Sequence, residues 1–533
     1  MARGGRKHEG LGIEVSTGRA TELGRLNDAF DVLVIGGGAT GVGTALDAAA
    51  RGYKTALVEA SDFAKATSSR STKLIHGGVR YLQNGELGLV RESLHERANL
   101  RRNAAHLVKK LGFICPAYRC HEGPLFFAGF TAYDMLAGFT NFPRSRPVGR
   151  AEALRLSPDL KAKGLYGGIR YFDGQFDDAR LALAIARTAA DRGATVLNYV
   201  RAVSFLYENG RAYGAIVRDE ETGREIETRA KVVVNATGIF VDELRSLDEP
   251  GVSPLLSHSR GSHVVFPAHV YRGSDALLVP KTDDGRVLFI IPWQGSIVIG
   301  TTDVPVQTSE LDPKATNEEI DFIIGQANKY LQTPVARKDA LATYAGLRPL
   351  VSGKASSTAK LSREHLVDVS PTGLVTVTGG KWTTYRKMAE DTIDVAAREG
   401  KLAVAKSPTA TLGLHGNPSR GAKSDGKYAA YGTDAEALLA LEREDPALAG
   451  PLAPQVSFTG AQVVFAVREE LARTVDDVLA RRTRTLFTNA GAALAAAPAV
   501  GALLARELGH DDVWQAEQLA TFARIAAQDA QTV

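Results

Sequence analysis

The sequence predicts an α/β fold: a parallel, dinucleotide-binding sheet, an inserted and mainly antiparallel second sheet, and a helical C-terminal domain. Three observations predict it. FDVLVIGGGATGVGTALDAAARGYKTALVEA reads as strand, glycine turn, helix, strand. Residues 253–303 alternate short apolar runs with Gly, Pro and Asp turns, the pattern of an antiparallel sheet. Residues 428–533 carry helical periodicity and no strand of note. At 533 residues the chain also exceeds what one hydrophobic core serves, so several domains are expected.

In chain order, residues 1–30 begin basic, lack an apolar signal core and read as a flexible tail. Val32–Ile35 is a continuous apolar run, as in a strand covered on both faces. Thr40–Arg51 is an Ala-rich helix that Gly52 stops, and Ala56–Val58 is the second strand. Helices follow over about 86–108 and over Asp178–Arg192, then the strand Thr195–Tyr199. Asn209-Gly210 and Thr222-Gly223 are turn signals between β segments, and Lys231–Asn235 is another buried strand. Leu374–Val377 is a strand ending in Thr378-Gly379-Gly380, with a helix over Thr384–Arg398. The dinucleotide-binding domain is therefore expected over 31–403 in pieces, about 31–110, 175–245 and 345–403. The substrate domain is inserted at about 111–174 and 246–344, and the Pro/Gly/Ser/Lys-rich stretch 404–427 is a linker before the helical domain 428–533.

Composition narrows the function classes. Apolar content of 44% and charge of 23% are those of a soluble globular chain. A net charge of +4, from 64 basic and 60 acidic side chains, and no aromatic-basic reading motif argue against nucleic acid. Cys115 and Cys120, the two cysteines, form neither a disulfide framework nor a ligand set, so no metal is expected. No window reaches the roughly 18 uninterrupted apolar residues of a spanning helix. Pro498 interrupts Ala490–Leu504, and Asp134 interrupts Phe126–Phe139. The chain is expected to lie on a bilayer rather than cross it.

The chemistry begins at Gly36-Gly37-Gly38-Ala39-Thr40-Gly41, a G-x-G-x-x-G turn between strand and helix. Gly36, Gly38 and Gly41 permit a tight turn and close approach of a pyrophosphate to the helix N-terminus. Glu59, at the end of the second strand, is placed to accept hydrogen bonds from ribose hydroxyls, which argues against a 2′-phosphate but leaves NAD and FAD open. The apolar strand ending in Ala236-Thr237-Gly238 favours FAD, since that pattern recurs in two-dinucleotide-binding flavoproteins.

Further stretches carry a family resemblance: TSSRSTKLIHGGVRYLQ, DDARL, VNATG, RGSHVVFP, IPWQGSIVIGTTD, YAGLRPL, GGKWTTYRKMAE and VDDVLARRTR. In that order they resemble the FAD-dependent glycerol-3-phosphate dehydrogenases, within the D-amino-acid-oxidase-like flavoproteins. The resemblance covers nearly everything after residue 30 and implies that type of FAD-binding fold. It implies that Thr67, Ser68, Ser71, Lys73 and Leu74 wrap the flavin, joined by Gly380, Lys381, Trp382 and Thr383. Trp382 stands where other members carry Leu. Arg80, Tyr81, Thr302 and Arg348 would hold the substrate, sn-glycerol 3-phosphate, since a phosphate favours planar Arg forks. His263, Arg348 and Lys381 match active-site positions. His263 is the first choice for the base that takes the C2 hydroxyl proton, Arg348 would position or polarise that oxygen, and Lys381 would stabilise charge on the reduced ring.

The resemblance further implies dihydroxyacetone phosphate as product and a membrane quinone as the next electron acceptor. The protein would then be cytoplasmic and peripheral on the inner face of the cell membrane, as a homodimer. Phe126–Phe139 and basic helices such as Val475–Arg484 are the expected membrane contacts. Two alternatives stay open: an oxidase passing electrons to dioxygen, and a flavin-binding scaffold without catalysis.

Overall fold

The structure is a computed structural model that describes residues 15–78, 82, 85–138, 142–352, 365–418 and 426–530. Its first sheet runs in the order His365–Val369, Val375–Gly379, Glu225–Asn235, Ala29–Ile35, Thr55–Val58, Thr195–Leu197. All neighbours in that series are parallel except the first pair. Val32, Leu33 and Val34 are wholly buried, which is why the strand reads as an unbroken apolar run. The Ala39–Ala50 helix packs against Tyr385–Glu399, and a Cβ on Gly43 would stand 2.7 Å from the Tyr385 ring. The strands Val200–Glu208 and Arg211–Asp219 extend the sheet as a hairpin, turning at Asn209 and Gly210 with φ of 50° and 76°.

The second sheet is mainly antiparallel, and its middle is the long strand Leu256–Pro267. That strand pairs with Ser296–Gly300 and, over nearly its whole length, with Ala342–Val351. The expected split at residue 345 is therefore displaced: Tyr344 to Leu350 belong to the second sheet, because their apolar positions complete its face. Leu74–Ile75, directly after the dinucleotide-binding unit, also joins this sheet by pairing with Gln175 and Gly174. The segment that leaves the glycine-turn unit thus runs directly into the second sheet.

Three further expectations change. The tail expected over 1–30 contains the helix Val15–Arg25, held by the buried Arg19, which pairs with Asp219 at 2.7 Å. Leu26 then enters the core, and residues 1–14 lie outside the described residues. The expected linker is a fitted strap as far as residue 418. The Tyr53 hydroxyl donates to the Ala403 carbonyl at 2.6 Å, Thr409 donates to the buried Asp47, and Leu414 sits in the core. Its hydroxyls answer buried carboxylate, so a polar composition coexists with packing.

The third is Val475–Arg484, expected to offer basic charge to a membrane. Its Asp477–Arg482 stretch is a π-helical turn, and Arg481, Arg482 and Arg484 are at most 2% exposed. Arg481 and Arg482 both grip Asp62, the first at 2.5 Å, while Asp476 and Asp477 balance the remaining charge. The helices Gly460–Glu470, Ala490–Leu508 and Asp512–Ala530 form the C-terminal region and share a core with the second sheet. Ala490–Leu508 is long and apolar enough to cross a bilayer by composition, but Ala493, Ala496, Val500 and Leu504 are wholly buried within the protein.

Candidate active site

The glycine turn is constrained by what lies against it. Gly36 has φ of +112°, and a Cβ there would lie 2.6 Å from the Ala236 carbonyl oxygen. Gly41 backs directly onto the Gly36 carbonyl, with no room for a side chain. Gly38 begins the Ala39–Ala50 helix, whose first amide, Ala39 N, donates to Ser68 Oγ at 2.9 Å. Glu59 accepts from Gly37 N at 2.6 Å and from Ser61 N at 2.8 Å, one bond to each oxygen. Each oxygen keeps a lone pair for a ribose hydroxyl. Burial raises its carboxyl pKa, against the pull of those amides.

A single cavity of about 320 Å³ extends from this turn. Gly36, Gly38, Glu59, Thr67, Ser68, Ala236, Thr237, Gly238, Arg348, Gly380, Lys381 and Trp382 line it. Bare glycine backbone and a helix N-terminus, the groups that would take a pyrophosphate, share this lining with Lys381 and Arg348, a donor set that fits FAD. Thr237 Oγ1 donates back to Asn235 Oδ1 at 2.7 Å, so that hydrogen is already committed within the turn.

Not every residue of the wrapping segment reaches that space. Thr67 Oγ1 donates to the Leu347 carbonyl at 2.6 Å, and Trp382 Nε1 holds the Ser68 carbonyl at 2.8 Å. Ser71 and Lys73 turn inward: Asp178 Oδ2 accepts from Ser71 N at 3.1 Å, Ser71 Oγ at 2.7 Å and Lys73 Nζ at 2.7 Å. Burial brings the Lys73 ammonium down to about 7, although Asp178 pulls the other way. Leu74 is core, paired with Gln175. Thr383 Oγ1 meets both the amide and the carbonyl of His76 at 3.3 Å, fixing the exit of the segment. The Gly77 amide donates to the buried Tyr133 hydroxyl at 2.7 Å, which itself donates to Asp173. Arg80 and Tyr81 lie outside the described residues.

On the second sheet, His263 faces Tyr344 on one neighbouring strand and Gly300 on the other. Its Nε2 lies 3.0 Å from Thr72 Oγ1, and Nδ1 is buried with no hydrogen-bond partner among the described residues. Burial first, then the charges of Lys73 and Arg348, hold its pKa well below the histidine range, so the ring is neutral. His263 does not line the cavity, but Arg348 does, and the Arg348 guanidinium lies over Gly261 on the same strand as His263.

Arg348 Nη2 donates to Thr301 Oγ1 at 3.1 Å and to the Thr302 carbonyl at 3.0 Å, while Nη1 is 3.5 Å from Asp303. Thr302 itself is committed to the scaffold: it donates to Glu319 Oε1 at 2.6 Å and accepts from Ser262 N at 2.9 Å. At most one lone pair remains on that hydroxyl for a substrate. Gly379 and Gly380, with φ of 78° and 73°, bring the chain to Lys381 with Met388 packed beneath Gly380.

Sequence reasoning missed Thr72, Asp178, Asp303 and Glu319 as supports of the site. Asp178 and Asp303 sit inside recognised motifs, DDARL and IGTTD, but their partners lie far away in sequence. Thr72 was one hydroxyl among several, and only the fold brings it to His263.

Comparison with known proteins agrees with this geometry. Residues 31–386 match the family model described as FAD dependent oxidoreductase, and residues 420–515 match the C-terminal domain of alpha-glycerophosphate oxidase. The chain is 42% identical over 527 residues to the mitochondrial glycerol-3-phosphate dehydrogenase of Homo sapiens, covering 92% of this chain and 72% of that one. It is 43% identical over 493 residues to glycerol-3-phosphate dehydrogenase 2 of Mycobacterium tuberculosis, covering 87% and 83%. Among solved structures, the glycerol-3-phosphate dehydrogenase from Bacillus halodurans complexed with FAD superposes with a TM-score of 0.79 at 30% identity, covering 97% and 98%. The chain belongs to the FAD-dependent glycerol-3-phosphate dehydrogenase family.

Proposed function

We propose that the protein oxidises sn-glycerol 3-phosphate to dihydroxyacetone phosphate and passes the electrons to a membrane quinone. One observation carries the reading: Arg348, fixed beside a neutral His263, lines the same cavity as Glu59 and the glycine turn. The names of the relatives support the substrate. FAD, when bound, supplies the hydride acceptor.

The residues then divide the remaining work. Arg348 offers a planar fork to the substrate's phosphate or C2 oxygen, and Asp303 with Thr301 and the Thr302 carbonyl keeps that fork aimed. His263 takes the hydroxyl proton. In the tautomer whose Nε2–H donates to Thr72 Oγ1, Nδ1 carries the free lone pair and is the atom that receives it. Lys381 lines the same cavity, where its cation favours added negative charge. Ser71 and Lys73 act behind the site through Asp178.

The protein sits on the inner face of the cell membrane through the helix Glu122–Ala137. Leu125, Ala128, Ala132 and Met135 form one stripe of that helix, with Leu125 66% and Met135 71% exposed and Phe127 alongside. The second reading is transfer to dioxygen, favoured by the oxidase name of the C-terminal match.

The test is anaerobic addition of glycerol 3-phosphate to the flavin-loaded protein. Loss of visible flavin absorbance, reversed quickly by a short-chain quinone and slowly by air, is expected. An unbleached flavin overturns the reading, and fast reoxidation by air alone replaces quinone with dioxygen.

A further inference from the structure

Arg484 lies in the C-terminal region but points at the cofactor segment. Its side chain is 1% exposed, and Nη1 donates to the Ala480 carbonyl at 2.6 Å. Nη2 forks to the Ser69 carbonyl at 2.7 Å and to Asp178 Oδ1 at 2.8 Å. Asp177 stands 3.4 Å from Nε. The other oxygen of Asp178 holds Ser71 and Lys73, and Lys73 Nζ returns to the same Ser69 carbonyl at 2.7 Å. One carboxylate and two cations thus clamp the backbone from Ser69 to Lys73. Thr72, inside the clamp, is the residue that touches His263.

The neighbouring arginines set a contrast. Arg481 and Arg482 fasten the π-helical turn that precedes Arg484 to Asp62, whose carboxylate also accepts from Asn198. They hold the C-terminal region in place. Arg484 reaches beyond that junction to the main chain that presents Thr72, and its planar fork ties that main chain and Asp178, through Nη2, to the Ala480 carbonyl, through Nη1.

We propose that Arg484 is a positioning residue for the oxidation site, fixing the Ser69–Lys73 backbone so that Thr72 holds the His263 ring in one orientation. This rests on His263 acting as the base in the reading above.

Stopped-flow anaerobic reduction by glycerol 3-phosphate tests it, on Arg484→Gln, Arg484→Lys, Thr72→Val and the Arg484→Gln/Thr72→Val double variant. Arg484→Gln is expected to lower the limiting reduction rate about tenfold or more, with half-saturation moved less than about threefold. Arg484→Lys recovers part of that rate. The double variant is no slower than its slower parent, because both changes release the same ring. Hydrogen exchange supplies a second readout: peptides over residues 67–76 exchange faster in Arg484→Gln, while peptides of the C-terminal helices do not. A wild-type limiting rate, losses that multiply in the double variant, or unchanged exchange at 67–76 overturns the proposal. Should Arg484→Gln fail to fold, Arg484→Lys decides alone: wild-type rate and exchange refute the role, and a lower limiting rate at unchanged half-saturation supports it. If wild-type flavin is not reduced by glycerol 3-phosphate, the functional reading fails instead, and the exchange arm still judges the clamp.

Discussion

The His263 imidazole lies almost flat on the phenol ring of Tyr344, with centroids 4.6 Å apart and planes 15° from parallel. The two residues are direct partners across neighbouring strands, and the Tyr344 hydroxyl donates to the Ser71 carbonyl at 3.1 Å. The stack fixes the plane of the imidazole, and Thr72 fixes its rotation within that plane.

Burial keeps His263 neutral in the fold, and this has a readable pH consequence. The unfolded chain takes up the proton near pH 6.5, whereas the folded chain refuses it until the pH is much lower. His263 therefore contributes nothing to pH dependence above about 6.5, and stability falls as pH drops from there towards the lower native value. Ring-labelled histidine NMR, with the signal assigned by its loss in His263→Asn, is expected to keep the neutral shift at pH 6. Titration near 6.5 would contradict the burial argument.

Gly300 faces the edge of the His263 ring so closely that no Cβ fits between them. Gly300→Ala is expected to retain flavin, since the residue does not line the cavity, and to lower the rate of flavin reduction at least about tenfold by tilting the ring. Flavin content and stopped-flow reduction, measured together, separate the two effects. A wild-type rate would mean that the ring orientation is unimportant.

Arg348→Lys replaces a fork by a single ammonium while keeping the charge. A fall in kcat/KM of roughly ten- to a hundredfold is expected, because Thr301, the Thr302 carbonyl and Asp303 aim a planar group. Steady-state assays with an artificial acceptor measure it. Unchanged kcat/KM would remove Arg348 from the substrate site.

Leu125→Glu/Phe127→Glu puts charge on the exposed stripe of the Glu122–Ala137 helix. The double variant is expected to stay at the bottom of a flotation gradient with anionic liposomes, while wild type floats. Flavin reduction in solution should be unaltered in both. Equal flotation would clear this helix of membrane contact.

The parallel sheet, the glycine turn and Glu59 were legible because each local signal points the same way: an apolar run, glycines that only a close approach explains, and an acid at a strand end. The second sheet was legible as a class from its turns. Its limits were not, because pairing Ala342–Val351 with Leu256–Pro267 depends on a partner far along the chain. The strap after residue 403 was misread for a related reason: Ser407 and Thr409 look like linker residues until Asp47 is seen waiting beneath them. In the same way, the basic run near Arg484 looked solvated until its buried carboxylates were in view. Charge that is neutralised by the fold is invisible to a reading along one dimension.

The Arg484–Ser69 bond spans 415 positions of sequence. During translation, the nucleotide-binding strands therefore leave the ribosome long before the group that fastens Ser69. A nascent or prematurely stopped chain has every motif of the turn and of His263 but lacks the late-arriving cation that closes them into working order. Synthesis itself delays competence until residue 484 has emerged.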